Sequence, residues 1–286
     1  SIIKGQDPVR HGTTFITKIY GKNSKTIRSA DQDLDGVQKE DVLLPALLKD
    51  VGYRTIMIGK AHFGSKDSFA ADPLNLGFDR KHYANHKGSP IGKKLGGKDA
   101  YHVARDGKQV HLSEALTLEA KSEISDAVKD DKPFFLYLSH YAVHRPILED
   151  KRFSKNYPNM DKSMRAYATL VEGADKSLGD VIAHINKLGI ANNTLIIWTA
   201  DNGGLRANLP LKGLKNDAYE GGHRIPSIFA WGAPNNQSAL QKQMPLKPGR
   251  VEHRPFIHQD WMPTLLNLTG AKHPQPMDMD GYDITA

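Results

Sequence analysis

Segments with a helical period alternate along this chain with short apolar runs, and this alternation limits the fold more than any other feature. The helical segments end at Gly52, Asp130 and Gly189, and each precedes a run rich in β-branched or aromatic residues, at 55–58, 134–138 and 194–199. Short apolar runs bounded in this way are typical of strands buried on both faces. Helices that alternate with such strands predict an α/β fold, with a mostly parallel central sheet and helices on both faces.

Two further segments extend the pattern, and one interrupts it. Residues 227–231 predict a fourth buried strand, and residues 260–268 predict an amphipathic helix that tolerates Pro263 in its first turn. The Gly- and Lys-rich tract 63–107 has no strong period and predicts loops or an excursion from the sheet. A length of 286 residues suits one domain, so we expect residues 1–286 to form a single domain.

Charge and composition exclude several classes of function. The chain carries 39 Lys+Arg against 32 Asp+Glu, a formal net charge of +7, which favours anionic ligands. The basic residues are dispersed and no nucleic-acid-binding motif is present, so we expect no nucleic-acid partner. The chain has no cysteine, which excludes disulfides and a thiol nucleophile within these residues. No apolar stretch approaches the roughly 18 residues of a membrane span.

Polar residues with catalytic chemistry follow the predicted strands. In open α/β sheets ligands bind beyond the carboxyl ends of the strands, so these positions are the candidate site. The candidates are Lys60 and His62 after the first strand, His144 and Arg145 after the second, Asp201 and Asn202 after the third, and Lys215, His223 and Arg224 before the fourth. We expect them to converge on one rim of the sheet.

Each candidate also fits an ordinary structural role when it is considered alone. An Asp-Asn-Gly-Gly segment is common turn chemistry, although Asp201 and Asn202 also offer the oxygen ligands that Ca²⁺ and Mg²⁺ prefer. Lys60 fits a solvated surface charge, and His62 and His144 fit structural hydrogen bonding as well as acid–base chemistry. Their joint occurrence at successive strand ends favours the binding and cleavage of an anionic ester.

Five ordered motifs resemble the sulfatase family of the alkaline phosphatase-like fold. Residues 52–64 read Gly-Tyr-Arg-Thr-Ile-Met-Ile-Gly-Lys-Ala-His-Phe-Gly, with Ala61 where the family usually has Trp. Residues 132–146 are similar to the family's Pro-Phe-Phe-Leu…Pro-His-x-Pro segment, with Val143 where Pro is common. The remaining motifs follow in the family's order at 199–204, 219–226 and 260–270. The resemblance therefore covers most of the chain.

The resemblance implies ligands for a metal and for the sulfate group. In the family, the residues that match Asp201 and Asn202 bind Ca²⁺ or sometimes Mg²⁺, and the lysines that match Lys60 and Lys215 hold the sulfate oxygens. These implied roles suit the chemistry, because a tetrahedral anion needs its charge neutralised.

The resemblance also implies the acid–base residues. His144 is expected to protonate the leaving alcohol, and His62 to support the catalytic aldehyde hydrate and the release of sulfate. Arg145, His223 and Arg224 lie near the expected rim and are weaker candidates for contacts with a sugar or its carboxylate; a surface or packing role fits them equally well.

The largest departure from the family pattern concerns the nucleophile. Sulfatases carry a Cys-x-Pro-Ser-Arg element whose Cys, or in some bacterial enzymes Ser, is oxidised to formylglycine, and this chain contains no such element. Residues 1–12 resemble the stretch just after it, so Ser1 is not the nucleophile. Residues 280–283 resemble the segment that leads into a smaller C-terminal sheet. We therefore expect a chain truncated at both ends, inactive by itself.

The leading hypothesis is that the parent protein is a sulfuric ester hydrolase that cleaves an aryl or carbohydrate sulfate monoester with formylglycine and a divalent metal. Its partners would be a sulfated small molecule or glycan and a formylglycine-generating enzyme, and its location would be periplasmic or secreted, as the resemblance implies. Two alternatives stay open. One is a phosphomonoester or phosphodiester hydrolase of the same superfamily, and the other is a non-catalytic protein that binds sulfated glycans.

Overall fold

A computed structural model describes residues 2–8, 10, 36–235 and 238–285. Four residues of the 1–12 motif, Ser1, Val9, His11 and Gly12, lie outside the described residues. The chain divides into two compact units, the first formed by Ser1–His184 with Arg254–Ala286 and the second by Ile185–His253. The single-domain assignment stays a prediction.

The described residues form short strands and helices in alternating order. The strands are β1 (Arg54–Gly59), β2 (Arg80–His82), β3 (His102–Arg105), β4 (Lys108–His111), β5 (Phe134–Ser139), β6 (Leu195–Thr199) and β7 (Ser227–Trp231). The α-helices are α1 (Leu44–Asp50), α2 (Leu112–Lys129), α3 (Lys162–Lys187), α4 (Glu220–His223), α5 (Ala239–Gln243) and α6 (Trp261–Thr269). In this described part of the chain, no helix has the length and apolar character needed to cross a membrane.

The first unit contains a parallel sheet with the order β2-β1-β5. Its central strand is the most buried part, since Ile56, Met57 and Ile58 are fully inaccessible to solvent. The sheet register pairs Ile56 with Leu136 on one side and with Arg80 on the other. This arrangement confirms the α/β fold with a parallel sheet and helices.

Apolar side chains on one face of this sheet hold two helices and a loop segment against it. Met57 packs with Leu76 and Phe78 from the connection between β1 and β2. Leu48 of α1 packs with Met262 of α6, and Phe135 of β5 contacts both clusters. Side chains alternate between the two faces of a strand. Because Met57 pairs with Tyr137, and Phe135 lies two residues before Tyr137, Met57 and Phe135 share this face of the sheet.

The long helices α2 and α3 complete the first unit. Helix α2 packs against β1 and β5. A hydrogen bond links the two helices, because the Thr117 hydroxyl donates to Ser177 Oγ at 2.6 Å. Both residues are buried, so the polar contact is shielded from water. The helices that the sequence predicts before β5 and β6 are thus present, as α2 and α3.

The prediction of loops throughout residues 63–107 is wrong in part. This tract contains β2 and β3, and β3 forms an antiparallel hairpin with β4 in which His102 pairs with His111. These strands have three or four residues each, which is too short to produce a recognisable period. They are also largely polar, with two exposed residues in β2.

The second unit contains β6 and β7 as an antiparallel pair. The pairing runs from Leu195 opposite Trp231 to Thr199 opposite Ser227. The limits of β7 match the prediction, but its burial does not, because Ile228 is 56% exposed and only Trp231 is buried. Antiparallel pairing places the residues after β6 and those before β7 at the same end of this sheet.

Candidate active site

The first group of candidate residues leaves the sheet where β1 and β5 end. These two strands pair to their last residues, Gly59 and Ser139. The Lys60 backbone N–H then donates to the Ser139 carbonyl at 2.8 Å, which fixes Lys60 beside the start of the second loop. Lys60 itself is half-buried. The sheet therefore delivers Lys60 and the loop that carries His144 to one edge.

His62 lies in a turn that packs closely against a neighbouring loop. Its backbone has a positive φ of 54°, and its N–H donates to the Asn85 carbonyl at 3.3 Å. A Cβ atom at Gly88 would lie 2.6 Å from His62 Nδ1, so the backbone at this position approaches the imidazole as only glycine permits. The loop 85–88 thus holds the ring of His62 in place.

A buried tyrosine fixes the backbone of the His144 loop. The Tyr101 hydroxyl donates to the carbonyl of His144 at 2.7 Å and lies 3.0 Å from the carbonyl of Tyr141. Tyr101 is 1% exposed, and burial raises its pKa well above the ordinary range, so the hydroxyl remains a donor. The Tyr141 hydroxyl in turn donates to the Tyr83 carbonyl at 2.8 Å. These hydrogen bonds therefore fix the loop at Tyr141 and at His144.

The two ring nitrogens of His144 are distinguished by a hydrogen bond to the backbone. Its Nδ1 lies 2.8 Å from the Arg145 carbonyl, and a carbonyl can only accept, so Nδ1 carries a proton. Nε2 is then the nitrogen that gives or takes a proton in acid–base chemistry. His144 is half-buried, whereas Arg145 is exposed.

The ring of Tyr101 packs on His111, which in turn contacts an ion pair of Asp150 and Arg152. The ring of His111 stacks on Tyr101, with centroids 5.6 Å apart and an interplanar angle of 8°. His111 Nδ1 lies 3.3 Å from Asp150 Oδ2, and Arg152 binds the same carboxylate oxygen at 2.7 Å. Burial lowers the pKa of His111 to about 4, so the ring is neutral near neutral pH.

Sequence reasoning missed Tyr101 and its support. Tyr101 falls in the tract interpreted as loops, and His111 and Asp150 lie 39 positions apart along the chain with no motif between them. Only Tyr141 stood inside a recognised motif, and nothing in its spacing indicated a hydrogen-bonding role. A tertiary contact of this kind has no local sequence signal.

The second group of candidates lies in the second unit, beyond β6. The Gly203 N–H donates to the Gly222 carbonyl at 2.8 Å, and the Lys215 N–H donates to the Gly204 carbonyl at 2.9 Å. A Cβ atom at Gly203 would lie 1.9 Å from the Gly221 carbonyl oxygen, so the two loops meet backbone to backbone. Residues 201–204 are thereby joined to the loop that carries Lys215.

The weaker candidates of this group lie on the surface. His223 and Arg224 are both exposed. Arg224 Nη1 binds Glu220 Oε2 at 3.0 Å, an ion pair of side chains four residues apart. This contact supports a surface role for Arg224 in the structure as it stands.

Asp201 and Asn202 offer ligands that suit a hard cation. Asn202 Nδ2 donates to the Gly203 carbonyl at 3.0 Å, which leaves Oδ1 as its acceptor atom. Carboxylate and amide oxygens fit Ca²⁺ or Mg²⁺. Among the residues that the structure describes, however, no cluster of three or more His, Cys, Asp or Glu side chains could hold a metal. Within the described residues, Asp201 and Asn202 therefore provide two fitting ligands but not a complete site.

Each unit thus brings part of the predicted set together. Lys60, His62 and His144 share a sheet edge in the first unit, and Asp201, Asn202 and Lys215 belong to joined loops in the second. Convergence of all these residues on a single rim stays a prediction.

Comparison with known proteins finds a matching family model and several similar proteins. A family model described as Sulfatase matches residues 1–271. N-acetylgalactosamine-6-sulfatase of Mus musculus is 28% identical over 311 residues, which cover 99% of this chain and 55% of the relative. A protein named Sulfatase from Formosa agariphila is 34% identical over 200 residues, which cover 63% of this chain and 34% of the relative. The chain spans about half the length of the first of these curated relatives.

Solved structures share the fold. Ps i-CgsB in complex with k-i-k-neocarrahexaose is 27% identical with a TM-score of 0.73, and the match covers 99% of this chain and 63% of that chain. PsFucS1 sulfatase from Pseudoalteromonas sp. has a TM-score of 0.70 at 24% identity, with 99% and 60% covered. Together with the matched family model, these likenesses lead to one conclusion: the chain belongs to the sulfatase family.

Proposed function

We propose that the full-length protein containing this chain hydrolyses a sulfate monoester, either an aryl or a carbohydrate sulfate. One observation carries the proposal: in a chain of the sulfatase family, β1 and β5 pair to their last residues and deliver Lys60, His62 and the His144 loop to one sheet edge. A cation and two imidazoles at one edge suit the binding and cleavage of an anionic ester.

The two lysines are assigned to the sulfate oxygens. Each ammonium group provides three donors and a full positive charge, which matches the tetrahedral anion. The backbone bonds of Lys60 to Ser139 and of Lys215 to Gly204 fix the start of each side chain. Such fixed donors stabilise charge in the transition state without reorganisation at the moment of reaction.

The two histidines are assigned to proton transfer. His144 protonates the leaving oxygen from Nε2, because Nδ1 donates to the Arg145 carbonyl. His62 acts on the nucleophile side and helps to release sulfate, the role that the family resemblance implies. Its ring lies close to the backbone of Gly88, so the loop 85–88 limits the positions that the ring can take.

Asp201 and Asn202 are assigned as two ligands of a divalent cation, Ca²⁺ or Mg²⁺. A bound cation supplies charge neutralisation at the sulfate oxygens. Ca²⁺ takes about 6–8 oxygen ligands, so the remaining ligands must come from outside this pair.

The nucleophile is assigned to a formylglycine that this chain does not provide, since it has neither a cysteine nor a serine in the family's sequence context. A formylglycine-generating enzyme is then a partner of the full-length protein, and residues 1–286 alone have no sulfatase turnover. Assay of the purified chain on an aryl sulfate checks this, and turnover that depends on Lys60 would contradict it. A periplasmic or secreted location, taken from the resemblance, belongs to the same proposal.

The comparisons favour a glycan as the substrate. A relative is named N-acetylgalactosamine-6-sulfatase, and a solved structure that is 27% identical holds k-i-k-neocarrahexaose. We therefore extend the proposal from sulfate monoesters in general to sulfated glycans as the preferred class. The three weaker candidates, Arg145, His223 and Arg224, are assigned to contacts with the sugar.

The direct test is the release of inorganic sulfate from 4-nitrophenyl sulfate by the full-length protein. We expect Lys60→Ala to lower kcat/KM about 10²–10³-fold, as the loss of one transition-state donor does in other enzymes. Lys132→Ala is the matched control, because Lys132 is exposed and precedes β5 at the opposite end of the strand. Equal activity of both variants, or no sulfate release by the unaltered protein, would overturn the proposal.

A further inference from the structure

A chain of side-chain hydrogen bonds connects the start of the His144 loop to helices α2 and α3. His140 is the first residue after β5, and its Nε2 lies 3.0 Å from Ser177 Oγ of α3. The Thr117 hydroxyl of α2 donates to the same oxygen at 2.6 Å, and both hydroxyl residues are buried. We call His140, Ser177 and Thr117 the polar chain. It has no role in the mechanism proposed above.

His140 lies between two points at which the backbone of this loop is bonded to the candidate site. On one side, the Ser139 carbonyl accepts the Lys60 N–H at 2.8 Å. On the other side, the Tyr141 carbonyl accepts the His144 N–H at 2.8 Å. A shift of His140 would therefore move the backbone that carries Lys60 and His144.

Packing alone does not account for an imidazole at this position. His140 Nδ1 is buried and has no hydrogen-bond partner among the described residues. A buried polar atom without a partner lowers stability, and an apolar side chain of similar shape would avoid this loss. The ring's hydrogen bond in the described part of the chain is the one from Nε2 to Ser177. This bond is therefore what the imidazole adds at position 140.

The other end of the polar chain is anchored in helix α2, which is itself fixed against the sheet. Thr117 Oγ1 lies 2.7 Å from the Ser113 carbonyl, one turn earlier in the helix. Leu116 is fully buried, and a Cβ atom at Gly59, the last residue of β1, would lie 3.2 Å from its Cδ1. The polar chain therefore connects His140 to a helix that packs closely on the end of β1.

We propose that His140 is a positioning residue for the hydrolysis of the sulfate ester: by binding Ser177, it holds the loop so that His144 Nε2 reaches the leaving oxygen. This inference rests on the proposed function and adds a residue that acts through His144. A general acid works only within hydrogen-bonding reach of the atom that it protonates. A misplacement of about 1 Å can lower a rate about 10²-fold.

The test uses three variants of the full-length protein and one matched control. His140→Ala removes the ring, and Ser177→Ala removes its partner with a smaller change in volume. His140→Gln keeps an amide that can bond to Ser177 as a donor or as an acceptor. The control is His184→Ala, because Ser125 Oγ of α2 lies 2.8 Å from His184 Nε2 of α3. It removes a similar contact between the same helices, about two turns further along α3.

The readouts are kcat and KM on 4-nitrophenyl sulfate and on an alkyl sulfate, with urea unfolding to show that each variant is folded. We expect His140→Ala and Ser177→Ala to lower kcat for the alkyl sulfate about 10- to 10²-fold, with little change in KM. The nitrophenyl ester should be affected far less, because its leaving group departs without a proton. His140→Gln should recover most of the alkyl sulfate activity, and His184→Ala should match the unaltered protein.

Three results would overturn the inference. The first is activity of His140→Ala and Ser177→Ala equal to that of the control. The second is an equal loss on both esters, which a purely structural role would produce. The third is a loss in His140→Gln as large as in His140→Ala. Failure of the proposed function looks different, since the unaltered protein would then release no sulfate from either ester, and the inference would fall with it.

Discussion

Two histidines four residues apart, His140 and His144, have opposite surroundings. His140 Nε2 lies 3.0 Å from Ser177 Oγ, and its Nδ1 is fully buried with no hydrogen-bond partner among the described residues. His144 instead bonds to the Arg145 carbonyl at the sheet edge. Burial lowers the pKa of His140 to about 4, so this ring remains neutral near neutral pH, whereas His144 is the ring to which we assign proton transfer.

The buried histidines predict a loss of stability in acid. The folded-state pKa of His140 lies below the unfolded value of about 6.5, so the unfolded state binds more protons between these values. Stability is complete above about pH 6.5 and falls towards pH 4, by up to about 1.4 kcal/mol per pH unit for each such histidine. Urea unfolding of His140→Gln across this range should show a shallower decline.

Ser177→Ala is the control for this prediction. It removes the hydroxyl beside His140 but keeps the imidazole, so the pH slope should persist even if overall stability drops. A His140→Gln protein with the same slope as the unaltered protein would mean that His140 is not held neutral in the folded state.

The role of His144 predicts a dependence on the leaving group. His144→Ala should reduce turnover of alkyl sulfates about 10²–10⁴-fold, the usual range for loss of a general acid, and should affect nitrophenyl sulfates far less. Good leaving groups depart without a proton, whereas alkoxides do not. Rates across a series of esters of rising alcohol pKa provide the measurement, and a uniform loss would assign His144 to sulfate binding.

Among the structural elements, the β3–β4 hairpin has the clearest connection to the site. Tyr101, just before β3, is the donor to the His144 backbone, and His111 at the end of β4 stacks on its ring. The hairpin therefore determines where the loop after β5 is placed, although it carries no candidate catalytic residue.

Tyr101→Phe tests this connection. Loss of the hydroxyl removes the donor to the His144 carbonyl and the contact with the Tyr141 carbonyl, which should lower the unfolding free energy by about 1–3 kcal/mol. It should also lower kcat for alkyl sulfates more than for nitrophenyl sulfates, with little change in KM, because His144 is misplaced. Tyr53→Phe is the control, since Tyr53 is half-buried and its hydroxyl bonds to none of the described residues. A loss of stability without the leaving-group effect would leave Tyr101 a purely structural residue.

Elements with strong periods could be predicted from the sequence, and short polar ones could not. The limits of strand β5 and the end of helix α2 agree with the sequence almost to the residue, because long apolar patterns report burial directly. The hairpin was missed since β3 and β4 depend on pairing with each other and not on a period. The exposure of Ile228 was missed for a related reason, as an apolar run does not reveal what covers it.

The candidate site shows the same limit. Strand ends identified Lys60, His62 and His144 because chemistry at the carboxyl ends of parallel strands follows from topology. The Tyr101 bond and the packing of Gly88 on His62 arise between segments distant in sequence, so no local pattern indicated them.

At the scale of the whole molecule, the predicted metal site needs more ligands than Asp201 and Asn202 provide. The described residues contain no cluster of three acidic or imidazole ligands, while Asp201 and Asn202 supply two oxygens. We expect Asp201→Ala or Asn202→Ala, made in the full-length protein, to lower metal content and activity together. Atomic emission analysis of purified protein gives the metal content. Full metal content in both variants would remove these residues from the site.

The central claim is that this protein acts on sulfate monoesters, and matched esters test it most directly. The measurement is kcat/KM of the full-length protein on 4-nitrophenyl sulfate and on 4-nitrophenyl phosphate under the same conditions. The account predicts a higher value for the sulfate and a loss of that activity in Lys60→Ala. A preference for the phosphate would indicate a phosphoester hydrolase of the same superfamily. Binding of sulfated glycans with no turnover of either ester would indicate a non-catalytic protein, and each of these results would contradict the account.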